Sequence, residues 1–329
     1  MFWSIVLNLL FLVIGMFLLI KGADWFVEGS SNVAKALKIP SLIIGLTLVS
    51  IGTSLPELSV SVIGALEGNA DISYGNVIGS NIFNVFVVIG ASALFTPMIV
   101  SKDVKKYDVP ILIGIYALFA LFSFVTTPLV LSRWESIILA VLFVAYIIFL
   151  VLRTKKSNEV VEEEKEETQA KPRKMWVNII LIIVGIAAII GGGKFVVDTA
   201  SNLALMAGMS NLLVGLTIVA VGTSLPELVT SIVAAKKGEN DIAVGNAIGS
   251  SIFNILLILG VASTIAPIGF EFNTIVDAAM MMLSVVLVFI FAVKSNKINK
   301  VQGGVLILVY VAYLAFIILR NEYPAIFNF

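Results

Sequence analysis

The chain has 329 residues, 59% of them hydrophobic and 13% charged, and its 21 basic and 21 acidic side chains cancel to a net charge of +0. A mean hydropathy of +1.07 makes it a polytopic membrane protein. Electroneutrality without a basic block argues against a nucleic-acid partner. The absence of Cys and His removes disulfides, thiol catalysis and the softer metal ligands.

A membrane-spanning helix needs about 20 apolar residues. Ten stretches qualify: 3–20, 41–66, 72–97, 109–129, 132–152, 176–195, 211–235, 242–267, 274–293 and 302–319. The first lacks a basic leader and a small-residue cleavage site, so it is expected to be retained as a helix. The one long polar interruption, 153–175, carries an acidic run from Glu159 to Glu167 and splits the spans five and five. The expected organisation is therefore 1–152, a solvated linker at 153–175, and 176–329. Of the 21 Lys and Arg, 18 fall in alternate connections beginning with the one between spans 1 and 2; only Arg133, Lys194 and Arg320 lie opposite. By the positive-inside rule the linker is cytoplasmic and both termini are outside.

Spans 2 and 7 carry the same hexapeptide, Gly52-Thr53-Ser54-Leu55-Pro56-Glu57 and Gly222-Thr223-Ser224-Leu225-Pro226-Glu227. A shift of 170 residues aligns the halves, with 26 identities in 50 positions between 41–90 and 211–260. Because five spans is an odd number, the second copy enters the membrane from the other side. The fold expected is an all-α membrane protein of ten helices in two inverted five-helix repeats, with helices 2 and 7 broken by Pro56 and Pro226. Ser50, Thr53, Ser54, Glu57 and Ser61 share one helical face, as do Asn76, Ser80 and Asn84 in span 3 and Asn246, Ser250 and Asn254 in span 8. A carboxylate at a helix centre costs about 2.5–3.5 kcal/mol on insertion scales, so two in matching motifs point to function. The same spacing leaves Thr47, Ser61, Asn76 and Asn246 open to either a structural or a functional reading. The small residues Gly45, Gly52, Gly75 and Gly79 suit close helix packing. Asp24, Glu28 and Asp198 are expected near helix ends, and Glu67, Asp71, Glu239 and Asp241 at loop boundaries, as solvated or capping residues.

The groups on offer are carboxylate, hydroxyl, amide and carbonyl oxygens, a set suited to Ca²⁺, Na⁺ or Mg²⁺. Two carboxylates are neutralised by one Ca²⁺ or two Na⁺, and a flexible site on broken helices favours Ca²⁺ over Mg²⁺. Protons compete for the same oxygens, so acid should inhibit whichever ion is coupled.

Gly-Thr-Ser-Leu-Pro-Glu-Leu at 52–58 and 222–228, with Gly-Asn-x-Ile-Gly-Ser-x-Ile-Phe-Asn at 75–84 and 245–254, resembles the α-repeats of the cation/calcium antiporter superfamily, in its sodium/calcium exchanger branch. The resemblance implies Ca²⁺ exchanged for Na⁺ by alternating access, with spans 1 and 6 sliding across the other eight. It places the central carboxylates on Glu57 and Glu227 and hydroxyl and carbonyl ligands on Thr53 and Thr223. The neighbouring serines fall on Ser54 and Ser224, and flanking positions on Ser80, Ser250, Asn84 and Asn254, with backbone carbonyls at Ser50 and Ala220. Asn254 stands where potassium-dependent members have Asp, and both motifs differ from the Gly-Asn-x-x-Glu of the proton-coupled branch, so Na⁺ is the expected counter-ion. The alternative is a proton-coupled or K⁺-dependent exchanger. A channel or an intramembrane protease fits less well, and the chain is not expected to be an enzyme or to hold a cofactor. It is expected to work as a monomer in the lipid of the cell membrane.

Overall fold

The structure, a computed structural model, describes residues 2–68, 70–161, 174–208, 220–269 and 274–322. Two helices exceed their expected spans: α1 (Phe2–Ala36) has 35 residues and α7 (Met175–Met206) has 32. At 1.5 Å per residue each is about 50 Å long, well beyond the hydrocarbon core. Asp24, Glu28 and Asp198 therefore lie inside long helices, which corrects the expectation that they sit near helix ends. Charges at Lys21 and Lys194 interrupt an apolar stretch, but they do not stop a helix.

The two long helices run antiparallel along a glycine seam. Gly15 and Gly22 are seven residues apart, two helical turns, and so share a face. A Cβ on Gly15 would lie 2.9 Å from the Gly192 carbonyl, and one on Gly22 would lie 2.9 Å from that of Gly185. The reciprocal additions are as tight, at 2.7 Å from the Gly15 carbonyl and 2.9 Å from that of Gly22.

Next come α2 (Ser41–Thr53) and α3 (Leu55–Leu66), bent by 49° at the single residue between them. That residue, Ser54, has φ −87° and ψ 10°, off the helical path. Pro lacks an N–H and suits the first turn of a helix, so Pro56 opens α3 and the break falls just before it. The second copy repeats the geometry: Ser224 has φ −93° and ψ 7°, and α8 (Leu225–Lys236) starts with Pro226 in its first turn. The start of the seventh expected span, up to residue 219, lies outside the described residues.

The remaining helices are α4 (Ile72–Phe95), α5 (Val104–Thr126), α6 (Arg133–Val161), α9 (Asn240–Ile265), α10 (Ile275–Ser295) and α11 (Lys300–Glu322). Among the described residues eight helices are long and apolar enough to cross a membrane, and the bent α2–α3 pair makes a ninth. Helices α4 and α9 form the centre, with Val77, Ile78, Ile82, Ile248, Ile252 and Ile255 nearly inaccessible. Outward-facing Trp3, Val13, Val141 and Leu308 are 61–75% exposed, as lipid-facing residues should be. Gly45, Gly245 and Gly249 let α2 lie directly on α9: a Cβ on Gly249 would come within 2.8 Å of the Leu46 backbone.

Two short antiparallel ladders link the halves. Strand β1 (Met98–Ile99) pairs with β4 (Lys297–Ile298), and β2 (Val130–Leu131) pairs with β3 (Ile268–Gly269). Helix α6 continues to Val161, so the stretch expected to begin the linker at 153 starts as helix. Arg153 is folded back onto Asp108 at 2.7 Å and Asp103 at 3.1 Å.

Candidate ion site

Glu57 and Glu227 lie in the first turns of α3 and α8, and both are fully buried. Each is held by the serine at the break of the other copy. Ser54 Oγ donates to Glu227 Oε1 at 2.7 Å, and Ser224 Oγ donates to Glu57 Oε1 at 3.1 Å. The identical hexapeptides thus clasp one another instead of forming two separate centres. Ser224 Oγ also lies 3.0 Å from Ser80 Oγ on α4, while Ser250 Oγ on α9 lies 3.5 Å from Glu227 Oε1 and 3.4 Å from the Ser50 carbonyl.

Thr53 Oγ1 lies 3.0 Å from Asn246 Oδ1, 3.1 Å from the Val49 carbonyl and 3.3 Å from that of Ser50. Thr223 Oγ1 donates to Asn76 Oδ1 at 3.4 Å. Eleven of the twelve expected site residues are thereby described within α2–α4, α8, α9 and the two breaks, and all but Thr223 are buried. Ala220, the counterpart of Ser50, is the first residue described after the gap, and its side chain lies outside the described set.

Four of the expected site residues carry unused capacity. Among the described residues Oε2 of Glu57, Oε2 of Glu227 and both amide atoms of Asn84 and of Asn254 have no hydrogen-bond partner although all are buried. Buried polar atoms are normally satisfied, so carboxylate oxygens and amide carbonyls left open in one region suit a bound cation. Hard cations take such oxygen ligands at about 2.3–2.6 Å for Ca²⁺. Among the described residues no group of three or more Asp and Glu could hold a metal ion, so a cation held here would meet two carboxylates and would draw its other ligands from hydroxyls, amides and carbonyls.

Asn76 and Asn246, left open by spacing, are clamps. Asn76 Nδ2 donates to the Glu57 carbonyl at 3.1 Å and to Ser61 Oγ at 2.9 Å; Asn246 Nδ2 donates to the Glu227 carbonyl at 3.3 Å and to Ser231 Oγ at 2.9 Å. Each pins the first turn of a broken helix to its neighbour and also meets a threonine of the other copy. Sequence reading missed the wide π-helical turns that begin at Asn84 and at Asn254. Such turns cluster at functional sites, and an Asn amid apolar residues was the available signal.

Two buried ion pairs were also missed. Asp108 pairs with Arg153, and Asp277 binds Arg320 through two hydrogen bonds of 3.2 and 3.1 Å and accepts one from Tyr313 at 2.9 Å. Glu135 is a structural cap: it accepts from the Ser132 N–H at 2.8 Å and the Ser132 hydroxyl at 2.6 Å. A cavity of about 460 Å³, bounded by Leu55, Ser59, Val60, Lys194 and Val197, reaches Thr223 and both motif prolines. On the other side of the site the chain is packed, and a Cβ on Gly52 would already be 3.1 Å from Phe26 and from Ile186.

A multi-pass helical bundle with paired carboxylates at two helix breaks has the build of a membrane transporter. The profile of the family described as "Sodium/calcium exchanger protein" matches residues 7–152 and 177–319, and the chain belongs to that family. The putative antiporter CaxA of Alkalimonas amylolytica is 37% identical over 316 residues, covering 92% of this chain and 96% of that protein. The sodium/calcium exchanger MaX1 of Methanosarcina acetivorans is 32% identical over 349 residues, covering 94% and 98%. Among solved structures, the sodium-calcium exchanger NCX_Mj superimposes with a TM-score of 0.81 at 31% identity, covering 95% of this chain and 99% of that one.

Proposed function

We propose that this chain exchanges Ca²⁺ for Na⁺ by alternating access, with the ions held between Glu57 and Glu227 near the membrane midplane. The observation that carries the reading is the reciprocal clasp. Ser54 and Ser224 orient one oxygen of each carboxylate across the repeat and leave the other, Oε2, unbonded among the described residues. A charge of −2 is matched by one Ca²⁺, with Thr53, Thr223, Ser80, Ser250, Asn84, Asn254 and the carbonyls of Ser50 and Ala220 as the further ligands. Residues 1–152 and 176–329 act as two inverted repeats of five spans each, joined at 153–175 on the cytoplasmic side. The antiparallel glycine seam supports this, since equivalent residues meet in reciprocal pairs along it.

With the termini outside, α3 ends at the outer face, so the cavity reaching Thr223 opens outward while Phe26 and Ile186 close the cytoplasmic side. The long helices α1 and α7 are the sliding elements. The cell membrane is the proposed site of action. Purified protein in vesicles, assayed for ⁴⁵Ca²⁺ uptake against an outward Na⁺ gradient, tests the assignment. Uptake that ignores Na⁺ and follows a pH gradient would move it to proton coupling. Asn254→Asp addresses the potassium alternative: acquired K⁺ dependence would show that the amide sets the branch.

A further inference from the structure

The cytoplasmic contact between α1 and α8 has a counterpart at the outer face in which the charges are exchanged. Lys237 caps the C-terminus of α8 and precedes Gly238 at φ +80°; Glu67 caps the C-terminus of α3 and precedes Gly68 at φ +79°. Lys237 Nζ pairs with Asp24 Oδ1 at 2.6 Å and donates to the Asp24 carbonyl at 2.8 Å. The shift of 170 residues carries Lys237 onto Glu67 and Asp24 onto Lys194. Complementarity is kept while both signs are reversed, as a pairwise role requires and as a separate role for either residue would not. A carboxylate is also the wrong charge for a helix C-terminus, where a lysine is favoured, so Glu67 has the most to gain from a cation.

That second pair is not made in this structure. Lys194 has no carboxylate partner among the described residues and stands on the wall of the 460 Å³ cavity. Glu67 is exposed seven residues beyond Val60, two turns along the same helical face, and Val60 lines that cavity. Closing the cavity would bring α7 toward the end of α3 and so Lys194 toward Glu67.

We infer that Asp24–Lys237 and Lys194–Glu67 are alternating latches, the first holding the cytoplasmic path shut while the outer cavity is open and the second forming as the first parts. The inference rests on the alternating-access reading above. The two latches are unequal. Glu239 adds an ion pair with Lys35 at 3.5 Å and accepts a hydrogen bond from Ser31, whereas Leu205 stands at the position equivalent to Lys35. The outward-open state therefore has two ion pairs where the inward-open state would have one.

The chain has no cysteine, so Ser59→Cys on the cavity wall provides a single thiol. In right-side-out vesicles, its rate of labelling by a membrane-impermeant thiol reagent reads the outward-open fraction. Lys237→Glu sets two carboxylates against each other at the cytoplasmic latch and is expected to lower the ratio of outward-open to inward-open protein about two- to fivefold, the worth of a partly exposed pair, and so to slow labelling by up to that factor. Adding Glu67→Lys to that variant, which opposes two ammonium groups at the outer latch, should return the rate to its starting value. Further addition of Lys194→Glu, restoring the outer pair with reversed sign, should slow it again. Labelling unchanged by Lys237→Glu overturns the cytoplasmic latch, and labelling of Lys237→Glu unchanged by Glu67→Lys overturns the outer one. Glu57→Gln is assayed in parallel for exchange. Normal exchange there refutes the ion site itself, whereas abolished exchange with unresponsive labelling in the latch variants refutes only the latches.

Discussion

Asn246→Ala and Asn254→Ala remove the same amide two turns apart on α9, and they should fail in opposite ways. Asn246 uses both ends of its amide: Nδ2 holds the Glu227 carbonyl and Ser231 Oγ, and Oδ1 meets Thr53. When it is truncated, Ser231 keeps its bond to the Ala243 carbonyl at 3.3 Å and Thr53 keeps its 3.1 Å contact with that of Val49. Two of the three partners are thus partly rescued, and the expected loss is about 1–3 kcal/mol, the cost of one buried polar group left unpaired. Asn254 has no partner among the described residues, so its removal strands nothing and the ion-free protein should unfold close to where it did before. Its cost appears with the ion. A ligand present at 100 times its Kd stabilises by about 2.7 kcal/mol, and each tenfold loss of affinity removes about 1.4. Unfolding in detergent, with chelator and then with Ca²⁺, separates the two contributions: Asn246→Ala lowers the chelated baseline and keeps most of the Ca²⁺ increment, while Asn254→Ala does the reverse. If Asn254→Ala lowered the baseline as much as Asn246→Ala and kept the increment, the unpaired amide would be structural and the reasoning wrong.

Glu57→Gln or Glu227→Gln should each abolish ⁴⁵Ca²⁺ flux while the purified protein keeps its elution profile and helix content; flux in either variant would remove the central claim. Gly22→Leu places side-chain atoms where even a Cβ would lie 2.9 Å from the Gly185 carbonyl, so it should part α1 from α7 and stop exchange, with ion-dependent stabilisation retained because no ligand is touched. Arg153→Leu leaves Asp108 buried without its partner and should cost about 3–5 kcal/mol in chemical unfolding, most of it regained when Asp108→Asn is added. Acid should inhibit uptake competitively, because a proton on Oε2 of either glutamate occupies a cation position, so raising Ca²⁺ at low pH should restore the rate.

The residues of the candidate site were legible because the motif is written twice. Matching hexapeptides located both glutamates, both serines and the helix breaks, and the polar faces of spans 3 and 8 located Ser80, Asn84, Ser250 and Asn254. What could not be read was which copy bonds to which. Ser54 reaches Glu227 and not the Glu57 three residues along its own chain, since that depends on how two breaks are opposed in space. The choice between clamp and ligand for Asn76 and Asn246 was equally hidden, because helical spacing fixes a face but not the neighbour on it. The lengths of α1 and α7 were misread for a different reason: hydropathy measures where lipid ends, and these helices continue past it. Asp108 and Asp277 escaped notice because their arginines, Arg153 and Arg320, lie over 40 residues away in sequence.

The two strand ladders have a consequence for how such a molecule could be assembled. β1 and β2 come from the first half of the chain, and their partners β4 and β3 from the second; these ladders add to the serine–glutamate clasp, the α1–α7 glycine seam and the packing of α2 on α9 in tying the halves together. Two separately synthesised polypeptides, one for each half, would carry all of these contacts between them. In its contacts the single chain is two covalently joined halves, each supplying one side of both ladders and of the clasp.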